Sequence, residues 1–376
     1  MNNEVRLMLF GDICPTPDYE PLFRAGAEAL LHDVLPLIRD ADLAVCNLEC
    51  PATAHNSPIV KTGPNLRAEP ETLAMLKSAG FHAVSLANNH ILDHGVKGVS
   101  DTLALCKKHD IAYFGGGENA QEAARPLFLE AKGLRIGFLS FAEHEFNLAT
   151  EQSPGANLFD PYISLSAIRS AKENCDFLVV LYHGGIEHYI YPSPLLQKKC
   201  RAMIDAGADF VSCQHSHCIG TYEEYQNKTI LYGQGNSVFG YREGDASWNE
   251  GWLVELSFSD KTEIRYHLLS ARKDGIYLNR NDAERTARFE EESANLSKEG
   301  FIQSSWNTFC RKKAPWYLPM LLGWGRIGNK LNRLTKGRLL RLFKSRKALM
   351  ISTNLLHCDA HMELSVTALE QTQKED

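Results

Sequence analysis

Residues 82–95 read His-Ala-Val-Ser-Leu-Ala-Asn-Asn-His-Ile-Leu-Asp-His-Gly. A short strand-like run, 82–86, leads straight into Asn88, Asn89 and His90, which are polar side chains able to bind a metal. The pattern recurs along the first two-thirds of the chain. Residues 5–10 run into Gly11-Asp12, 43–45 into Asn47-Leu48-Glu49, and 177–182 into His183. Residues 210–211 lead to His215-Ser216-His217, and 230–232 to Gly235-Asn236. Further strand candidates lie at 111–114 and 135–140, with helical patterns near 20–39, 70–79, 96–109, 162–174 and 194–206. Short strands alternating with helices predict an α/β fold with largely parallel pairing. In such sheets ligands gather beyond the carboxyl ends of the strands. One active site assembled from separated segments is the expectation.

The residue types fit a hydrolytic metal site, which needs oxygen and imidazole ligands held on rigid supports with a position left open. Asp12 and Glu49 supply anionic oxygens, Asn89 an amide oxygen, and His183 an imidazole. On an extended segment, His215 and His217 would face the same side. Each residue alone has an ordinary explanation, since a strand-end Asp is usually a turn former or helix cap. Their co-occurrence at successive strand ends is what points to a metal.

Hydrophobic residues at 44% and charged residues at 23% of 376 describe a soluble globular chain, not a disordered or fibrous one. Ten scattered cysteines lack the spacing of a disulfide framework and read as reduced thiols. Residues 7–10 are too short an apolar run for a secretory signal, and no stretch reaches bilayer length, so a cytoplasmic location is expected. Residues 253–258 and 262–270 read as a closing hairpin across 259–261.

Beyond about 275 the pattern changes. Residues 282–297 look helical, 314–325 aromatic and broken by Pro315 and Pro319, and 327–350 a basic helix. Two units are expected, 1–275 and a helical extension 276–376. Within the extension, 301–347 holds twelve Lys and Arg and no Asp or Glu, although the whole chain carries −6. Peripheral contact of 301–350 with the inner face of an anionic membrane is one reading. Packing on the protein's own acidic surface is the other. No nucleic-acid motif accompanies the charge, and no nucleic-acid partner is expected.

At the strand ends the chain also resembles a known family. Gly11-Asp12, Asn47-Leu48-Glu49, Ala87-Asn88-Asn89-His90 with Asp93 and Gly95, and Gly115-Gly116-Gly117 with Asn119 appear in order. They are followed by His183-Gly184-Gly185-x-Glu187, 205–209, His215-Ser216-His217, and 232–239 beginning Tyr-Gly-Gln-Gly-Asn. This series resembles the CapA, or poly-γ-glutamate capsule synthesis, family, a relative of the calcineurin-like metallophosphoesterases. The resemblance implies a four-layer α-β-β-α sandwich and a centre of two divalent ions, with Zn, Mn and Fe all suited to mixed N and O ligands. By motif, Asp12 and His217 would serve one ion, Asn89, His183 and His215 the other, and Glu49 would bridge them. His90 would stand beside the open position to bind an oxyanion or protonate a leaving group, oriented by Asp93. Glu187 is read as a general base, a contact for a substrate amine, or a solvated loop residue.

Two positions depart from the family pattern. Cys14 stands where metallophosphoesterases carry an Asp-x-His imidazole, and it is either a thiolate ligand or a packed neutral thiol. Gln214 stands where the family has a further histidine. Two functions follow. One is a metal-dependent hydrolase of phosphoester, amide or ester bonds in capsule, exopolysaccharide or poly-γ-glutamate synthesis, with a polymer or phosphoester substrate. The other is a non-catalytic, metal- or polymer-binding assembly factor of a capsule synthase complex.

Overall fold

The computed structural model describes residues 4–258, 262–280, 282–321, 325–336, 338–339 and 346–375. Two sheets face each other in the first unit. In the first sheet the strands run Gly275–Leu278, Thr262–Arg272, Glu250–Phe258, Val5–Ile13, Leu43–Leu48, Ala83–Ser85, Ala112–Phe114, with Asn236–Val238 pairing the end of Val5–Ile13. In the second they run Tyr222–Tyr225, Lys228–Leu231, Phe210–Gln214, Phe177–His183, Leu134–Ala142, Leu127–Ala131. The central strands of both sheets are parallel. Their carboxyl ends therefore lie on common edges, where the site residues sit.

Alternating faces of the strands fill three separate apolar layers. Leu7, Leu9, Val45, Phe138, Val179, Leu181 and Trp252 meet between the sheets. Met8, Phe10, Ala44 and Cys46, on the other face of the first sheet, pack on helices such as Glu71–Ala79 and Gly95–Lys108 through Leu73, Leu76, Val99 and Leu103. Leu139, Val180, Tyr182 and Val211 cover the second sheet's outer face with Pro161–Lys172 and Pro194–Asp205. Three buried layers make four structural ones: the α-β-β-α sandwich.

The expected helix over 20–39 is divided at Gly26, whose φ of 107° lies outside helical space, into Glu20–Ala25, Ala27–Leu31, a short 3₁₀ turn and Leu35–Arg39. The hairpin strands Glu250–Phe258 and Thr262–Arg272 pair antiparallel, while its turn, 259–261, lies outside the described residues.

The first compact unit runs through Ile302, and the second covers Gln303–Asp376. Residues 276–302 thus pack with the sandwich, beyond the boundary expected at 275. Phe289, on the helix Ala283–Ala294, is the reason. Its ring lies 5.3 Å from Trp252, 5.1 Å from Tyr266 and 5.0 Å from Tyr222, fully buried in the layer between the sheets. Phe289→Ala is expected to lower the first unit's stability by about 3–5 kcal/mol, measured by denaturant unfolding. A loss below about 1 kcal/mol would mean that the helix is an appendage. The helix Phe301–Leu321, which begins at the end of the first unit, continues through Pro315 and Pro319, where the sequence suggested a break. Part of the expected basic helix 327–350 is the helix Gly325–Leu334; residues 337 and 340–345 lie outside the described residues.

Candidate metal centre

Asp12 lies near the end of Val5–Ile13, Glu49 just past Leu43–Leu48, and His183 ends Phe177–His183. Asn89 and His90 follow Ala83–Ser85, and His215 and His217 follow Phe210–Gln214. The two sheets together bring six of the nine expected residues into one buried cluster. Ligand atoms of Glu49, His183 and His215 lie within 4.8 Å of one another, as do those of Asp12, Glu49 and His217. Glu49 belongs to both groups. The His183 Nε2 is 3.0 Å from Asn89 Oδ1 and 3.5 Å from Glu49 Oε1.

The two histidines after Phe210–Gln214 do not sit on an extended segment. His215 has φ of 83° and His217 of 50°, both left-handed conformations that cost energy for a residue with a Cβ. A tight turn, not strand alternation, aims both imidazoles. The His215 N–H donates to Asp12 Oδ2 at 3.0 Å, which ties this turn to the opposite sheet.

Supporting amides complete the frame. Asn47 donates to Asp12 Oδ1 at 2.7 Å, Asn88 donates to the Leu48 carbonyl at 2.8 Å, and Asn236 Oδ1 lies 2.9 Å from His217 Nδ1. That last contact leaves His217 Nε2 to face a ligand. The sequence placed all three asparagines at strand ends but did not identify them as supports for the ligands. Gly235 makes the Asn236 turn possible: its φ is 76°, and a Cβ there would stand 2.7 Å from the Glu250 carbonyl oxygen.

The electrostatics are those of a cation site. Burial, with the Glu49 charge adding, pushes the Asp12 carboxyl up to about 7. Burial, with the charges of Glu187, Asp93 and Glu145 adding, pushes Glu49 up to about 8. Burial holds His183 down to about 4, and His215 and His217 to about 3. Both Glu49 oxygens and His215 Nδ1 are buried without a hydrogen-bond partner. The Asp12 carboxyl can serve Glu49 only by carrying a proton. Two buried acids beside three neutral imidazoles lack a positive charge, and a divalent cation would supply it while binding the unpaired atoms. These residues fit a metal.

His90 stands in a separate set with Asp93. Its Nδ1 is 2.6 Å from Asp93 Oδ2, which also accepts from the Leu66 N–H at 2.6 Å. Asp93 Oδ1 pairs with Lys61, whose side chain is only 3% exposed and whose Nζ is 3.2 Å from His90 Nδ1. Sequence reading missed Lys61, because it lies in the loop before Glu71–Ala79, where no periodicity or motif marks it. Glu187 lies on the loop after Phe177–His183 and acts on Glu49 and His215 only through its charge.

Of the departures, Cys14 is a buried thiol pushed well up by its hydrogen bond to Cys50 and by burial, and it belongs to neither group of ligand atoms. Gln214 is buried, and neither end of its amide has a hydrogen-bond partner. The Gly115–Gly117 run is a packing device. Gly115 has φ of 74°, and its Cβ would lie 2.8 Å from those of Ala87 and Ser140, while Gly116–Gly117 pairs with Gly155–Ala156.

The family model for bacterial capsule synthesis protein PGA_cap matches residues 6–241. The chain is 30% identical over 277 residues to the capsule biosynthesis protein CapA of Bacillus anthracis, covering 71% of this chain and 64% of that protein. It is also 30% identical over 247 residues to the PGA biosynthesis protein CapA of Bacillus subtilis (strain 168), covering 65% and 62% respectively. The chain thus spans a little under two-thirds of the length of these curated relatives. A solved 5'-nucleotidase precursor from Thermus thermophilus aligns with a TM-score of 0.47 at 13% identity, over 78% of this chain and 60% of that one.

Proposed function

The chain belongs to the bacterial capsule synthesis protein family, and from that premise we propose that it is a metal-dependent hydrolase. It would act on a phosphoester, amide or ester bond in the making of a surface polymer, such as an exopolysaccharide or poly-γ-glutamate. The observation that carries this reading is Glu49, a buried carboxyl with both oxygens unpaired, shared by two groups of ligand atoms. Asp12, Glu49 and His217 would hold one divalent ion, and Glu49, Asn89, His183 and His215 a second. When bound, the ions would polarise a phosphoryl or acyl oxygen and stabilise the charge that develops on it.

The chain's own residues would do the rest. Asp93 accepts from His90 Nδ1, so the imidazole's other nitrogen is free to exchange a proton with a leaving group. Lys61 and the Leu66 N–H hold Asp93 in place. Burial of the cluster keeps bulk water from competing for the ligands. Glu187, on the glycine loop after His183, would meet substrate before the buried groups do.

One observation favours the second reading, a non-catalytic assembly factor. Gln214 puts an unpaired amide where the family carries a further imidazole. Metal analysis of the purified protein, beside hydrolysis of bis-p-nitrophenyl phosphate, separates the two for wild type and His217→Ala. The enzyme reading expects near-stoichiometric metal and hydrolysis in wild type, with both reduced at least about tenfold in His217→Ala. Metal without hydrolysis of any ester or amide tested would favour the assembly factor. Wild type without stoichiometric metal would end both metal readings.

A further inference from the structure

The second compact unit, 303–376, carries features that the metal centre does not use. Pro319 has no N–H, so the carbonyl of Pro315, four residues before it, loses its helical donor. Asn332, on the helix Gly325–Leu334, donates to that carbonyl at 2.9 Å and is fully buried in doing so. The prolines that the sequence presents as breakers thus create the acceptor that ties two helices together. The resulting pair is a built feature with defined outer faces.

Those faces are unusual for a surface. Trp316, Tyr317, Leu321, Ile327, Leu331 and Leu334 are all exposed, Ile327 at 79% and Leu334 at 72%. Ile327, Leu331 and Leu334 fall at i, i+4 and i+7, one stripe of the helix, with Lys330 and Arg333 flanking it. Trp316, Lys330, Arg333 and Leu334 line a concavity of about 640 Å³. Around them the sequence holds no Asp or Glu from 300 to 358.

We infer that this helix pair is a docking surface for an anionic lipid bilayer, lying in the headgroup layer with its apolar stripe inward. The apolar stripe alone would suit many partners, and the basic residues alone would suit any polyanion. A stripe of Leu, Ile and Trp edged by Lys and Arg, in a sequence window without acidic residues, suits an anionic membrane interface. Among the described residues no helix is long and apolar enough to cross a membrane, so the contact is lateral. This inference is independent of any hydrolytic activity.

The test is flotation of the full-length protein with vesicles of phosphatidylcholine alone and with phosphatidylglycerol added. Wild type is expected to float with the anionic vesicles, to remain behind with the neutral ones, and to release as salt rises from about 0.1 to 0.5 M. Lys330→Glu/Arg333→Glu and Leu331→Ser/Leu334→Ser should each lower the bound fraction at least about tenfold. Unchanged helical circular dichroism of the variants would show that the helices carrying the substitutions remain folded, and salt release of wild type reads the same interaction without any variant. The inference is overturned if wild type does not float, if neutral vesicles bind it equally, or if folded variants bind like wild type. Binding to an acidic polypeptide or to DNA in place of vesicles would also overturn it.

Discussion

Glu49→Gln is expected to purify without stoichiometric metal and, stripped of metal at about pH 8, to be more stable than the equally stripped wild type. The first half follows from losing a ligand that both groups of donor atoms share. The second follows from linkage. Glu49 titrates at about 8 in the folded protein against an ordinary value of 4.5, and Asp12 at about 7 against 3.8. Acids raised in this way bind protons more tightly when folded, so their contribution is full at low pH and declines as pH rises through the folded values. The histidines act in the opposite direction. His183, His215 and His217 are held at about 4, 3 and 3 against 6.5, so their contribution increases with pH and is nearly complete only about one pH unit above 6.5. Between about pH 6.5 and 8 the carboxyls lose about 2 kcal/mol while the histidines still gain about 1, so metal-free wild type should lose about 1 kcal/mol across that window. Glu49→Gln should lose much less, because it removes one acid and the charge that raises the other. Denaturant unfolding of chelator-treated protein at the two pH values, beside metal analysis, checks both halves. A variant that keeps its metal, or whose metal-free form is no more stable at the higher pH, would remove Glu49 from the centre.

The second large effect concerns His90. His90→Asn should leave metal content unchanged and lower hydrolysis of a phosphodiester by about 10²–10⁴, the usual range for a lost general acid or base. Asp93→Asn should cost less, about 10–100-fold, because it removes only the partner that orients the ring. Lys61→Met should move activity in the same direction as Asp93→Asn, since Lys61 is the buried cation paired with that carboxylate. Loss of metal from His90→Asn would make His90 a ligand and not a proton carrier.

The α/β character and the site-bearing strand ends were legible because their signals are local, whereas the four-layer sandwich was implied by the family resemblance. Apolar runs of strand length, each ending in Asp, Glu, Asn or His, can be read one segment at a time, and the parallel pairing brings those ends together. Gly26 shows the limit of such reading. It lies inside a helical pattern, and only its backbone conformation reveals that the helix divides there. Phe289 shows another limit. The helix Ala283–Ala294 reads as a charged surface helix, yet its one large apolar residue closes the layer between the sheets.

Within the site, the sequence by itself determined which residues could bind a metal: Asp12, Glu49, Asn89, His183, His215 and His217. Ligand chemistry belongs to the side chain and is present before folding. Their arrangement was decided by the tertiary structure. Left-handed backbone at His215 and His217 aims both rings, and a hydrogen bond from one sheet to the other fixes that turn on Asp12. Lys61 became visible only when its loop folded over Asp93. The raised proton affinities of Asp12 and Glu49 likewise exist only in the folded chain, because burial causes them and a solvated strand end offers no burial.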